Sequence, residues 1–159
     1  TGIAAVYGED DVRTGCVGCN LASRDNALER LIRQAEWEHL RPLLEIKPLF
    51  AELKMAKHRK RKSEPELRQD GKWAQNVQRL GPLTMEARAY GLERIKDIQS
   101  RARVDLVNKE EEARIRELWA LNTWPNKWTG DEVNGDVALD AISVDAFGDI
   151  VSQPLLVSA

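Results

Sequence analysis

Thr84-Met85-Glu86-Ala87-Arg88-Ala89-Tyr90-Gly91-Leu92-Glu93-Arg94-Ile95-Lys96-Asp97-Ile98 is the stretch that decides the fold class. Ala87, Tyr90, Gly91, Leu92, Ile95 and Ile98 recur at three- and four-residue steps among charged residues, the period of a helix with one apolar side. Thr84 stands ahead of them as an N-cap, since its hydroxyl can accept from an amide that the first turn leaves without a partner. The pattern predicts one long amphipathic helix from Met85 to about Val104. Leu106-Val107 is a brief break, and Asn108 then caps a second helix. Glu111 sits three residues on, where it completes a capping box. The acidic turn Glu110-Glu111-Glu112 favours the positive end of the helix dipole. Ile115, Leu118, Trp119 and Leu121 are the expected buried side of this helix.

Upstream, Ser23 or Asp25 can cap a helix whose apolar stripe is Ala27, Leu28, Leu31 and Ile32. A further helical segment carries Trp37, Leu40, Leu43, Leu44, Leu49, Phe50 and Leu53, interrupted by Pro42 and Pro48. Each proline removes an amide donor and crowds the preceding turn, which predicts a kink or two shorter helices. Six of the nine residues 54–62 are Lys or Arg. Residues 63–72 hold almost nothing apolar and read as a solvated loop, with a small hairpin or irregular strand expected over residues 71–82.

Downstream of Asn122 the composition changes. Trp124, Pro125, Trp128 and Gly130 make an aromatic loop, and no Lys or Arg occurs from Asp131 onward. Val137-Ala138-Leu139 and Pro154-Leu155-Leu156-Val157 are short apolar patches expected to dock on the helical body. The first residues hold several glycines and no helical period; Ile3-Ala4-Ala5-Val6-Tyr7 reads as a short buried strand followed by loop. Five segments result: a strand and cysteine loop (1–22), a kinked helical segment (23–57), a basic and polar loop (58–83), two helices (84–121), and a Trp-rich loop with an acidic tail (122–159). The fold class expected is mainly α.

The chain has 159 residues, 42% of them hydrophobic and 31% charged, and a formal net charge of −2. That is globular composition, without a global field for nucleic acid or an anionic membrane. No apolar run approaches the roughly 18 residues that span a bilayer, and no basic flank precedes the N-terminal apolar run as a signal peptide requires. Two cysteines, two residues apart, do not make a secreted disulfide framework, so a reducing cytoplasmic setting is expected. A start at Thr1 in mid-pattern reads as part of something longer.

Those cysteines carry the chemistry. Gly15-Cys16-Val17-Gly18-Cys19 places two sulfurs at the spacing that suits one zinc ion or one edge of an iron–sulfur cluster. The glycines let backbone amides turn toward the sulfurs, and Arg13 adds a positive charge that lowers thiol pKa. Such sites take about four ligands, and His39 and His58, the two imidazoles, lack zinc-finger spacing. The missing ligands are therefore expected from elsewhere in a parent protein or from another subunit. Two other readings stand beside a half-built metal site: a dithiol pair for redox or sulfur carriage, and two small buried residues in a tight loop. Lys57, Arg59, Lys60 and Arg61 can meet nucleic-acid phosphates, with Arg13 and Arg79 as further contacts; a solvated loop is the plainer reading. Trp73, Trp124 and Trp128 can stack on bases, but docking of their loop on the body accounts for them better.

The stretch Val12-Arg13-Thr14-Gly15-Cys16-Val17-Gly18-Cys19-Asn20-Leu21-Ala22-Ser23-Arg24-Asp25, then Ala27-Leu28-Glu29, resembles proteins of the phosphoadenosine-phosphosulfate-reductase-like family. The nearest branch includes the sulfur-transfer proteins of DNA phosphorothioation. The resemblance continues through Leu43-Leu44-Glu45, Gly81-Pro82-Leu83-Thr84, Glu86-Ala87-Arg88, Glu110-Glu111-Glu112-Ala113-Arg114-Ile115-Arg116, Asn122-Thr123-Trp124-Pro125 and Trp128-Thr129-Gly130-Asp131-Glu132. It implies an N-terminal α/β domain that holds ATP or a sulfonucleotide in a Ser-Gly-Gly-x-Asp-Ser loop. No such loop occurs here, so this chain looks like the C-terminal part, docked on that domain, with a sulfur-donor protein and DNA as further partners. It also implies that Cys16 and Cys19 help hold an iron–sulfur cluster, of the 4Fe-4S type. Many relatives have Pro where this chain has Asn20, and the further cysteines of their site have no counterpart here. A non-catalytic zinc- or nucleic-acid-binding module is the rival expectation.

Overall fold

The computed structural model describes Val17 and residues 24–154 apart from Gln75. The expected strand at Ile3–Tyr7, Arg13, Cys16 and Cys19 all lie outside the described residues. Helix is the larger part, but two small antiparallel sheets accompany it, so the expectation of a mainly α fold holds only in coarse form.

The helical body begins with α1, Asn26–Leu31, which buries Leu28. Asp25 occupies its N-cap position without a side-chain cap bond; its carboxylate instead meets the Lys47 ammonium at 3.2 Å. A 3-10 helix, Ala35–Glu45, leads directly into α2, Ile46–Leu53. Its 11 residues are long for a geometry normally confined to three or four. Pro42 lies inside it, where its missing amide costs one i→i−3 bond. Pro48 falls in the first turn of α2, where amides have no intrahelical acceptor, so that helix tolerates it. The break expected between two prolines is thus a change of helical type. A short 3-10 turn, Ala56–His58, ends the segment.

Two helices follow as the sequence predicts. The first, α3, spans Met85–Ala102, and the buried Thr84 hydroxyl accepts from the Ala87 amide at 3.1 Å. The second, α4, spans Lys109–Ala120. Asn108 Oδ1 accepts from the Glu111 amide at 2.8 Å, and Glu111 Oε2 accepts from the Asn108 amide at 2.9 Å, closing the capping box. The core lies between α3 and the segments before it: Leu28, Ile32, Leu43, Ile46, Leu49 and Leu53 meet Ala87, Ile98 and Ala102. Ile98 has 0% exposure, so its burial contributes about 1.5–3 kcal/mol of transfer free energy. By contrast α4 contributes no buried residue: Ile115, Leu118 and Trp119 are half-buried and Leu121 is 67% exposed. The stripe expected to be its buried side is thus only partly covered. Ion pairs hold it to α3, Lys96 to Glu112 at 3.0 Å and Arg116 to Glu93 at 3.0 Å.

The basic run is not a loop. Arg59–Arg61 forms β1, the central strand of a three-stranded antiparallel sheet between β2, Leu80–Leu83, and β3, Val133–Asn134. Arg59 opposes Leu83 and Arg61 opposes Leu80, with an irregularity between them; Lys60 opposes Asn134. Residues 63–72 also carry more order than a solvated loop, since Leu67 bridges Trp73. The acidic tail forms β4, Ala141–Val144, and β5, Ile150–Gln153, an antiparallel hairpin with register Val144 to Ile150. Gly148, at φ +91, makes its turn. Among the described residues, no helix is long and apolar enough to cross a membrane.

Candidate functional site

Strand β1 owes its place to its own cations. Strand geometry turns alternate residues to opposite faces, and each long side chain ends on a fixed acceptor. Arg59 Nε donates to the Gly81 carbonyl at 2.7 Å, and Lys60 Nζ to the Glu132 carbonyl at 2.9 Å. Arg61 donates to the Gln78 and Gly135 carbonyls, both at 3.3 Å. Lys62 Nζ donates to the Lys127 carbonyl at 2.6 Å and to Glu132 Oε1 at 3.0 Å. Arg79 reaches Glu66 Oε2 with Nε at 3.0 Å and with a terminal nitrogen at 2.9 Å. Among the described residues Lys57 is the most exposed of the predicted contacts, its side chain 54% accessible and its ammonium 3.9 Å from Glu52. Thus Arg59, Lys60, Arg61 and Arg79 are brought together, and each already donates within the chain.

What they gather is the tryptophan loop. Trp128 is 9% exposed, with Lys62 Nζ 4.6 Å and the Arg79 guanidinium 4.9 Å from its ring. Both lie within the range of cation–π attraction. The ring occupies the place a Cβ on Gly81 would take, so only glycine fits there. Arg88 lies 4.2 Å from the Trp124 ring and donates to the Leu83 and Thr123 carbonyls, each at 3.2 Å. Burial lowers its guanidinium pKa from the usual value. Glu132 closes the loop, accepting from the Thr129 and Gly130 amides and from Lys62. Burial alone would raise the Glu132 carboxyl, but the Lys62 ammonium and the amides of Glu132, Thr129 and Gly130 offset it, leaving the group below its ordinary range. The loop docks on the body, as the aromatic content predicted; Trp73 is half-buried at its bridge.

The two histidines serve other ends. The His39 ring is exposed, with Nδ1 3.1 Å from the Glu36 carbonyl, and it stacks beside Trp37. His58 stacks on Tyr90 with centroids 6.0 Å apart, and its Nε2 lies 3.3 Å from Glu52 Oε1. The Tyr90 hydroxyl donates to Glu52 Oε2 at 3.0 Å, which holds the Glu52 carboxyl below and the Tyr90 phenol above their ordinary ranges. Among the described residues, no group of three or more His, Cys, Asp or Glu could hold a metal ion. A shallow groove of about 560 Å³ runs along Leu106, Val107 and Ile115; at its rim Glu111 is held in the capping box and Arg114 meets Glu117 at 2.6 Å.

Glu66, Gln78, Arg88 and Glu132 were not singled out by the sequence. Glu132 left a local signal, an acid two and three residues after the amides it accepts from; Glu66, Gln78 and the Arg88 bond to Thr123 act across 13, 62 and 35 positions. No family model matches this chain, and no curated protein or solved structure is significantly similar to it.

Proposed function

We propose that this chain is the C-terminal part of a sulfonucleotide-reductase-like, ATP-dependent sulfur-transfer protein, in which Cys16 and Cys19 furnish two thiolates to a 4Fe-4S cluster. The observation that carries the reading is Gly15-Cys16-Val17-Gly18-Cys19, set in a longer run that resembles the phosphoadenosine-phosphosulfate-reductase-like family. Cys-x-x-Cys suits two corners of a cluster in donor type and spacing, and half of the ligand set then comes from elsewhere in the parent or from another subunit. A cluster held there would supply a redox-active, sulfur-rich centre. Activation of the nucleotide belongs to an α/β domain on which this body docks, in a reducing cytoplasm, with a sulfur-donor protein and DNA as partners of the whole.

The packing supports treating the resembling segments as one unit. Gly81-Pro82-Leu83-Thr84, Arg88, Asn122-Thr123-Trp124-Pro125 and Trp128–Glu132 are distant in sequence, yet Gly81 receives Trp128 and Arg88 ties Leu83 to Thr123 and Trp124. The rival nucleic-acid module gains nothing comparable, since Arg59, Lys60, Arg61 and Arg79 already donate within the chain. Cys16→Ser in the full-length protein is expected to cost cluster occupancy and sulfur-transfer activity together. Retention of the cluster with full activity would overturn the proposal.

A further inference from the structure

The hairpin β4–β5 stands apart from the packing described above. Among the described residues its strands pair only with each other, and Gln78 Nε2, just ahead of β2, donates to the Asp140 carbonyl at 2.5 Å. All four residues of β5 are exposed, and Phe147 at the turn is 91% exposed. A two-stranded ribbon alone is marginal in water. Proteins guard an open edge by keeping it short or with lysine, an internal proline or a bulge. Ile150-Val151-Ser152-Gln153 is short, at four residues, but has no lysine or internal proline, and its register against β4 is unbroken.

The direction of the free edge follows from the ladder. The Asp145 amide donates to the Asp149 carbonyl at 3.0 Å, so 145 and 149 are a hydrogen-bonded pair. Bonded and non-bonded pairs alternate in an antiparallel ribbon, which makes Ser143 with Val151 the next bonded pair. The amides and carbonyls of Ile150 and Ser152 therefore point away from β4. No other described strand pairs with them, so among the described residues they form an edge that can accept another strand.

Charge chooses the occupant. A second copy pairing along β5 would bring together two segments that each hold Asp136, Asp140, Asp145 and Asp149 and, from Trp128 to Ala159, no Lys or Arg. A segment of this acidic composition complements a partner of the opposite charge. We propose that β5 receives an extended, Lys/Arg-flanked segment of a partner protein, which adds as a third strand and packs an apolar side chain beside Phe147. This mode takes its affinity from main-chain hydrogen bonds and its selectivity from the flanking side chains.

The test is a titration of the isotope-labelled chain, followed by NMR, with the capped peptide Lys-Thr-Val-Thr-Val-Lys and with its Glu-flanked counterpart. Saturable shifts confined to residues 140–153 are expected with the lysine peptide, with binding about tenfold weaker for the glutamate peptide and in high salt. Ser152→Pro removes an outward amide while sparing the β4 ladder, so it should abolish binding with the β4 signals unchanged. Phe147→Asp, at a side chain 91% exposed, should weaken binding without loss of stability. Equal binding of the two peptides, shifts elsewhere, full binding by Ser152→Pro, or a concentration-dependent dimer of the chain alone would each overturn the proposal.

Discussion

Replacing Gly81 by alanine isolates the contact on which the tryptophan loop depends. Gly81 does not have the left-handed backbone seen at Gly71, Gly130 and Gly148, so alanine can adopt its conformation. By itself the exchange would stabilise by about 0.4–1 kcal/mol, through a less flexible unfolded chain. The Trp128 ring, however, occupies the place of the added methyl. Either the ring leaves or strand β2 shifts. Expulsion of an indole that buries about 150–250 Å² sets an upper limit of about 4–6 kcal/mol. Partial accommodation, as in overpacked cores, costs about 1–3 kcal/mol. We expect Gly81→Ala to lose about 2–3 kcal/mol in urea unfolding followed by circular dichroism, and Trp128→Ala about 3–5 kcal/mol. In the Trp128→Ala background the alanine should cost less than about 1 kcal/mol, because the obstruction is gone. A Gly81→Ala protein within about 0.5 kcal/mol of the parent would refute the reasoning. So would an equal cost with and without Trp128.

Two further outcomes follow from local geometry. Thr84→Ala should lose about 1 kcal/mol, since the Ala87 amide is then left without a partner in a buried site, and Thr84→Ser should keep most of it; paired urea titrations decide. The Glu132 carboxyl is depressed in the folded chain, so its contribution is present above the unfolded value near pH ~4.3 and fades as pH falls through the folded one. Glu132→Gln should therefore be less stable than the parent at neutral pH and show a shallower loss on acidification; identical acid slopes would contradict the role given to Glu132.

The two caps were legible because their signals are local: Thr84 and Asn108 meet amides three residues away, and Glu111 returns the bond. The core side of α3 was legible from its period. The role of β1 was not. Arg-Lys-Arg-Lys reads as solvated, and it becomes a central strand only because acceptors 17 to 74 residues distant come to meet it. For α4 the period gave a stripe without saying how fully it is covered, and the cover is only partial. The hairpin did leave a signal that went unread: Ile142 and Val144 alternate with small or polar residues, then come a turn with Gly148 and a second β-prone run. Of the candidate site, residue type and spacing announced the cysteines and the aromatic loop. The carboxylates that fasten that loop depend on tertiary contacts that no spacing encodes.

The most direct measurement is the iron, zinc and acid-labile sulfide content of this chain purified without oxygen, alongside its Cys16→Ser, Cys19→Ser double variant. Iron and sulfide together in the parent chain, both lost in the variant, are the result predicted if Cys16 and Cys19 are cluster ligands. Zinc without sulfide in the parent chain, or iron and sulfide unchanged in the variant, would contradict it.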